Sequence, residues 1–239
     1  MKFKIVSLFV LCAILISCGT SRQGGKKQRK GTKAQVVLTP EQQRKYDYFF
    51  LEASRLKMKD DYSAAFDLLQ HCLTINPNAS SALYEISQYY MYLKQVPQGQ
   101  AALEKAVEND PDNYWYSQGL ASLYQQQNEM QKATNLLESM ATRFSDRMDP
   151  LYSLLDIYNR LEEYDNVITT LNRLEEKMGK NEQLSMEKFR IYLQKKDNQS
   201  AFREIESLVE EYPMDMRYQV ILGDVYMQND KKEDRKSVV

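Results

Sequence analysis

Apolar and small side chains recur along this chain at a fixed interval. Pro77 and Pro111 are 34 residues apart, and Pro213 lies three such steps further on, with Ser145 and Gly179 between. Each follows a Leu-rich amphipathic stretch, where a helix would stop. Stepping by the same interval gives a small-residue column, Ala65, Gly99, Ala133, Val167 and Ala201. Two large apolar columns follow it, one through Leu69, Leu103, Leu137, Leu171 and Ile205, the other through Cys72, Ala106, Met140, Leu174 and Leu208. Earlier in the unit stands a tyrosine column, Tyr90, Tyr124, Tyr158, Tyr192 and Tyr226, with Leu56 as its first member. A persistent period of this length predicts an all-α array of antiparallel helix pairs, in which one unit cannot bury its own face and stacking does so. The expected units are 46–79, 80–113, 114–147, 148–181 and 182–215, with a partial sixth at 216–230, so the array occupies 40–230.

The period, the columns and the Asn-Pro and Asp-Pro stops resemble the tetratricopeptide repeat family. That resemblance implies a right-handed superhelical solenoid whose first helices line a concave groove. Four positions depart from the pattern: Glu52 and Lys188 stand where the family prefers a large apolar residue, and Ser145 and Gly179 replace Pro.

With the fourth, seventh, eighth and eleventh residues of each first helix packed, the second, fifth, ninth and twelfth lie about 130° around it. This is the stripe that the resemblance assigns to the groove. It reads Ser81, Tyr84, Gln88 and Met91, then Trp115, Gln118, Ser122 and Gln125, then Asp149, Tyr152, Asp156 and Asn159, with Met186, Arg190 and Phe50 from the outer units. Aromatic and amide-rich, the stripe suits an extended peptide or a partner helix. Trp115, at its centre, has a competing reading in which Tyr114, Trp115 and Tyr116 only staple unit three to unit two.

The N-terminal 39 residues differ in kind. Lys2 and Lys4 precede the apolar run Ile5–Ile16, the layout of a secretory signal over 1–17 and too short to span a bilayer. Leu15-Ile16-Ser17-Cys18 resembles the lipobox of bacterial lipoproteins, which implies cleavage after Ser17 and lipidation of Cys18. Several acyl chains on one residue anchor stably. Gly19 after that cysteine resembles the sorting pattern of outer-membrane lipoproteins. The expected location is therefore the periplasmic face of the outer membrane of a Gram-negative envelope. Residues 18–39 read as a basic tether carrying Arg22, Lys26, Lys27, Arg29, Lys30 and Lys33, available to anionic headgroups.

Charge sharpens this division. The whole chain has 32 Lys and Arg against 33 Asp and Glu, but from Pro40 onward 24 basic residues face 33 acidic ones, a net charge of −9. A body so acidic is no nucleic-acid binder. Cleavage removes Cys12 and lipidation consumes Cys18, which leaves Cys72 as a packed, structural thiol and His71 as a surface residue. No Gly-rich phosphate loop, nucleophile elbow or His-based pair appears, so neither enzyme activity, metal nor cofactor is expected. The sixth unit begins in register with Leu222, Gly223 and Tyr226 and then runs into the polar tail 231–239, while Val220, Ile221 and Val225 make its helix apolar for an end cap. The expected function is a lipid-anchored envelope scaffold for a protein or peptide. The alternatives are a glycan-uptake lipoprotein using groove aromatics and the N-terminal part of a longer repeat array.

Overall fold

The computed structural model describes residues 37–228, and all regular structure among them is helical. The signal segment, Cys18, the tether through residue 36 and the tail from residue 229 lie outside the described residues. Unit one is α1 (Pro40–Lys57) with α2 (Tyr62–Ile75), and unit two is α3 (Ser80–Tyr92) with α4 (Val96–Asn109). Units three and four are α5 (Tyr114–Gln126) with α6 (Met130–Arg143) and α7 (Asp149–Arg160) with α8 (Tyr164–Met178). Unit five is α9 (Glu182–Gln194) with α10 (Asn198–Glu211), and α11 (Met216–Gln228) opens the sixth. The first helix begins upstream of its unit. Thr39 accepts from the Gln42 amide (3.2 Å), Gln42 Oε1 accepts from the Thr39 amide (2.9 Å), and Pro40 takes the first turn, where its missing N–H costs nothing.

The turn inside each pair repeats in backbone detail. Asp60, Lys94, Asn128, Glu162 and Lys196 all have positive φ, between 55° and 61°, at the same place in five successive units. The next amide in each case donates back to the carbonyl of the tyrosine-column residue: Asp61 to Leu56, Gln95 to Tyr90, Glu129 to Tyr124, Glu163 to Tyr158 and Asp197 to Tyr192, at 2.8 to 3.0 Å. This is a Schellman closure made without glycine. An L-residue in the left-handed region costs about 1–2 kcal/mol, and glycine loses about 0.4–1 kcal/mol more entropy on folding. Glu162→Gly is therefore expected to stabilise the protein by about 0.5–1 kcal/mol. An upward shift in the urea midpoint at unchanged slope would register it; a downward shift would mean that the Glu162 side chain holds the turn.

Stacking buries the columns. Ala65, Ala133, Val167 and Ala201 are fully enclosed, as are Leu137, Leu174, Ile205 and Leu208. Gly99 is buried with them, and a Cβ there would meet the Met91 methyl at 2.9 Å and the Ser87 carbonyl at 3.1 Å, so the missing side chain makes room for Met91. Cys72 is enclosed, and burial pushes its thiol up to about 11, so it is an inert packing group. The tyrosine column packs less evenly: Tyr124, Tyr158 and Tyr226 are buried, whereas Tyr90 and Tyr192 are half-buried. All three buried rings keep their hydroxyls satisfied on a glutamate of the preceding unit, Tyr124 on Glu104 (2.9 Å), Tyr158 on Glu138 (3.2 Å) and Tyr226 on Glu206 (3.4 Å).

A second set of ties points backward along the array. Asn109 donates to the Asn78 carbonyl (3.1 Å), Arg143 reaches Asp112 (2.6 Å), and Lys177 donates to the Ser145 carbonyl (2.5 Å). Each comes from the last turn of a second helix and holds the loop that ended the unit before. Lys105 adds a bond to the Pro77 carbonyl (2.6 Å).

Among the described residues the buried apolar side chains form three clusters, centred on α1–α4, α5–α8 and α10–α11. Helix α9 gives Leu184 and Ile191 to the middle cluster and Phe189 to the last. Between these sits Lys188, 4% exposed, at the place filled by Ile86, Leu120 and Leu154 in earlier units. Its ammonium bridges Glu175 on α8 (2.9 Å) and Glu204 on α10 (3.0 Å).

Candidate functional site

The first helices of neighbouring units meet along their sides. Tyr46 and Ser81 share a hydrogen bond of 2.9 Å, Lys57 pairs with Glu85 at 2.7 Å, and the rings of Tyr84 and Tyr116 lie 4.8 Å apart. The residues assigned to the groove therefore sit on consecutive helices, with unequal freedom. Tyr84 is half-buried against Tyr116, and Gln118 accepts from the Tyr114 hydroxyl (3.1 Å). Ser122, Gln125 and Asn159 are half-buried, whereas Gln88, Asp156 and Arg190 are exposed. Arg190 is held by Glu187 (3.0 Å), and Asp156 is 4.0 Å from Arg160.

Two exposed aromatics of the stripe stand out. Trp115 is 63% exposed and Tyr152 is 48% exposed. Asn113 caps α5 by accepting from the Trp115 amide (3.1 Å), which fixes the backbone beneath the indole. Tyr114 is buried and meets Trp115 edge-on at 5.3 Å and Phe144 edge-on at 5.3 Å. Over this pair lies Arg147, its guanidinium carbon 4.0 Å from the Tyr114 ring and 5.5 Å from the indole. A cation on two aromatic faces contributes about 0.5–1 kcal/mol at such exposure. The three aromatics thus divide the work: Tyr114 and Tyr116 staple unit three, and Trp115 faces water. Tyr152 donates its hydroxyl to the Met178 sulfur (3.2 Å). Arg147 escaped sequence reasoning because it is the last residue of its unit, outside the stripe.

Among the described residues no group of three or more His, Cys, Asp or Glu is placed to hold a metal, and no helix is long and apolar enough to cross a membrane.

Residues 80–113, the whole of unit two, match the family model of the tetratricopeptide repeat. The array has the tetratricopeptide-repeat fold. A tetratricopeptide repeat protein from Parabacteroides merdae superposes with a TM-score of 0.53 at 16% identity, over 82% of this chain and 77% of that one. MamA superposes with a TM-score of 0.52 at 18% identity, over 74% and 96% of the two chains. YrrB, a tetratricopeptide repeat protein with an unusual peptide-binding site, superposes with a TM-score of 0.50 at 13% identity, over 71% and 88%. At these identities the likeness is one of fold. No curated protein matches the sequence. Tetratricopeptide repeats are in general non-catalytic scaffolds for protein contacts, and the described surface carries binding chemistry of that kind.

Proposed function

We propose that this protein is a lipid-anchored scaffold of the bacterial envelope that holds a peptide or protein partner on the exposed stripe of its first helices. Trp115 carries the reading. An indole 63% exposed, on a capped helix start and packed against Tyr114 and Arg147 on one side, offers a large apolar face for a partner to cover. Tyr152 and the amides of Gln88 and Gln125 supply further contact area and backbone hydrogen bonds. The peptide site for which YrrB is described lends this use of the fold a parallel. Leu15-Ile16-Ser17-Cys18 and the six basic residues that follow support attachment through Cys18 at a membrane surface. The acidic body would then be repelled by anionic headgroups and held away from them.

Crosslinking from the neighbouring stripe positions Gln118 and Asp156 in a bacterial host, followed by mass spectrometry, tests the stripe. Trp115→Ala is expected to lower capture of the crosslinked partner by roughly 30-fold, as hot-spot truncations do. Undiminished capture in both Trp115→Ala and Tyr152→Ala would remove the stripe from consideration. Cys18→Ala should move the protein from the membrane fraction to the soluble periplasmic fraction, and retention at the membrane would refute the anchor.

A further inference from the structure

Away from Trp115, units one and two enclose a cleft of about 450 Å³ lined by Lys57, Tyr62, Gln88, Tyr89 and Tyr92. Tyr62 comes from the start of α2, Lys57 from the end of α1, and the other three from the last turns of α3. Tyr89 is 8% exposed, its ring edge-on to Tyr62 at 6.3 Å and 6.0 Å from Phe66. Its hydroxyl is buried and has no hydrogen-bond partner. Such a group costs stability unless something bonds to it. Desolvation raises this phenol above the ordinary tyrosine value, helped by Glu85 and opposed by Lys57, so it is a donor at any physiological pH.

The rest of the lining limits what enters. Lys57 is neutralised by Glu85 at 2.7 Å, which leaves no net charge to select a phosphate or carboxylate, yet its ammonium retains protons to donate. Tyr62 already spends its hydroxyl on Asp60 (2.8 Å) and presents its ring. Tyr92 is 80% exposed and adds a second face. Gln88 spends an amide N–H on Ser87 (3.2 Å) and adds one carbonyl acceptor, against the donors of Lys57 and Tyr89. Aromatic walls with these donors fit a ligand rich in apolar rings and carbonyl acceptors and poor in N–H groups. A proline-rich segment in the polyproline II conformation has that composition: its carbonyls make no internal bonds, its prolines lack N–H, and it binds in an already extended form. One turn of it, three residues over roughly 9 Å, is of the size of the cleft.

We propose that this tyrosine-walled cleft is a docking site for a proline-rich peptide, with the Tyr89 hydroxyl donating to a peptide carbonyl and the Tyr62 and Tyr92 rings packing on proline. It shares Gln88 with the stripe but contains neither Trp115 nor Tyr152, so the Trp115 and Tyr89 variants tell the two sites apart. The probe is a fluorescein-labelled decaproline titrated into the protein and followed by anisotropy, with a glycine-serine decamer and a soluble glucan oligosaccharide as competitors. Saturable binding is expected that neither competitor displaces. Tyr89→Phe should weaken it about five- to tenfold while raising Tm, since it deletes an unpartnered buried hydroxyl. Tyr92→Ala should weaken it at unchanged Tm, and Trp115→Ala should leave it unchanged. These opposite effects of Tyr89→Phe on affinity and stability are not produced by a packing role. No decaproline binding, displacement by the glucan, or equal affinity in parent and Tyr89→Phe would each overturn the proposal.

Discussion

Lys188→Met is expected to lower stability by about 3–5 kcal/mol, although methionine matches the apolar character of this place in other units. The reason is what the lysine leaves behind. Glu175 and Glu204 both point at its ammonium, at 2.9 and 3.0 Å, and are largely buried. Glu175 Oε1 already lacks a partner. Without the cation, two carboxylates face each other in an apolar seam, which is far costlier than a vacancy. Adding Glu175→Gln and Glu204→Leu to Lys188→Met should recover most of the loss, because a buried ion triad and an apolar replacement of similar volume differ little in net stability. Urea denaturation of the single and triple variants checks this; a single variant within 1 kcal/mol of the parent would show the triad to be solvated, by the scale of exposed pairs. The pH dependence has a definite sign. Burial opposes the charge on Lys188, but its hydrogen bonds to Glu175 and Glu204 outweigh that and raise its folded value above the ordinary 10.5. The share that comes from the charge on Lys188 is therefore full below about pH 10.5 and fades as the pH rises through the folded value.

Leu137→Ala is the second substitution of large effect, at about 2–5 kcal/mol. Leu137 is fully enclosed at the centre of the middle cluster, among Ala121, Tyr124, Leu151 and Leu154. Removing its isobutyl group loses both transfer energy and dispersion contacts, and helices pinned on both sides have little room to close the gap. In a solenoid each unit is supported only by its neighbours, so a weakened third unit also weakens the junctions on either side. Trp115, the single tryptophan, reports on that unit. Its fluorescence transition should fall to lower denaturant by more than the far-UV circular dichroism transition does. Equal displacement of the two would mean that the array melts as one block.

The columns were legible because repetition averages away everything local. Ala65 to Ala201 and the large residues four places on read directly as the buried seam, and Tyr124 and Tyr158 as members of one position. Other features were illegible for definite reasons. The departure at Lys188 was visible, but its partners lie on two different helices, 13 residues before it and 16 after, and only packing brings them together. Tyr89 and Tyr92 do not recur and Tyr62 does so only at Tyr164: one period later stand Val96, Leu123 and Gln126, so the columns pass over the cleft. The residues that tie each loop do share a position, yet Asn109, Arg143 and Lys177 differ in chemistry and bond to a carbonyl in two cases and a carboxylate in one. Assignment of Trp115 to the stripe followed from helical angle together with the family resemblance, whereas its bracing by Arg147 depends on how the loop after α6 folds back over α5.

Those backward ties give the array a direction in time. The loop closing unit one is secured by Lys105 and Asn109, the loop closing unit two by Arg143, and the loop closing unit three by Lys177. Each fastening thus arrives on a stretch of chain synthesised after the loop it holds. A unit leaving the ribosome has its helices but not its clasp until about one more period has emerged. Translation from the N-terminus would therefore lock the units in sequence, each newcomer finishing its predecessor, with the newest always the loosest.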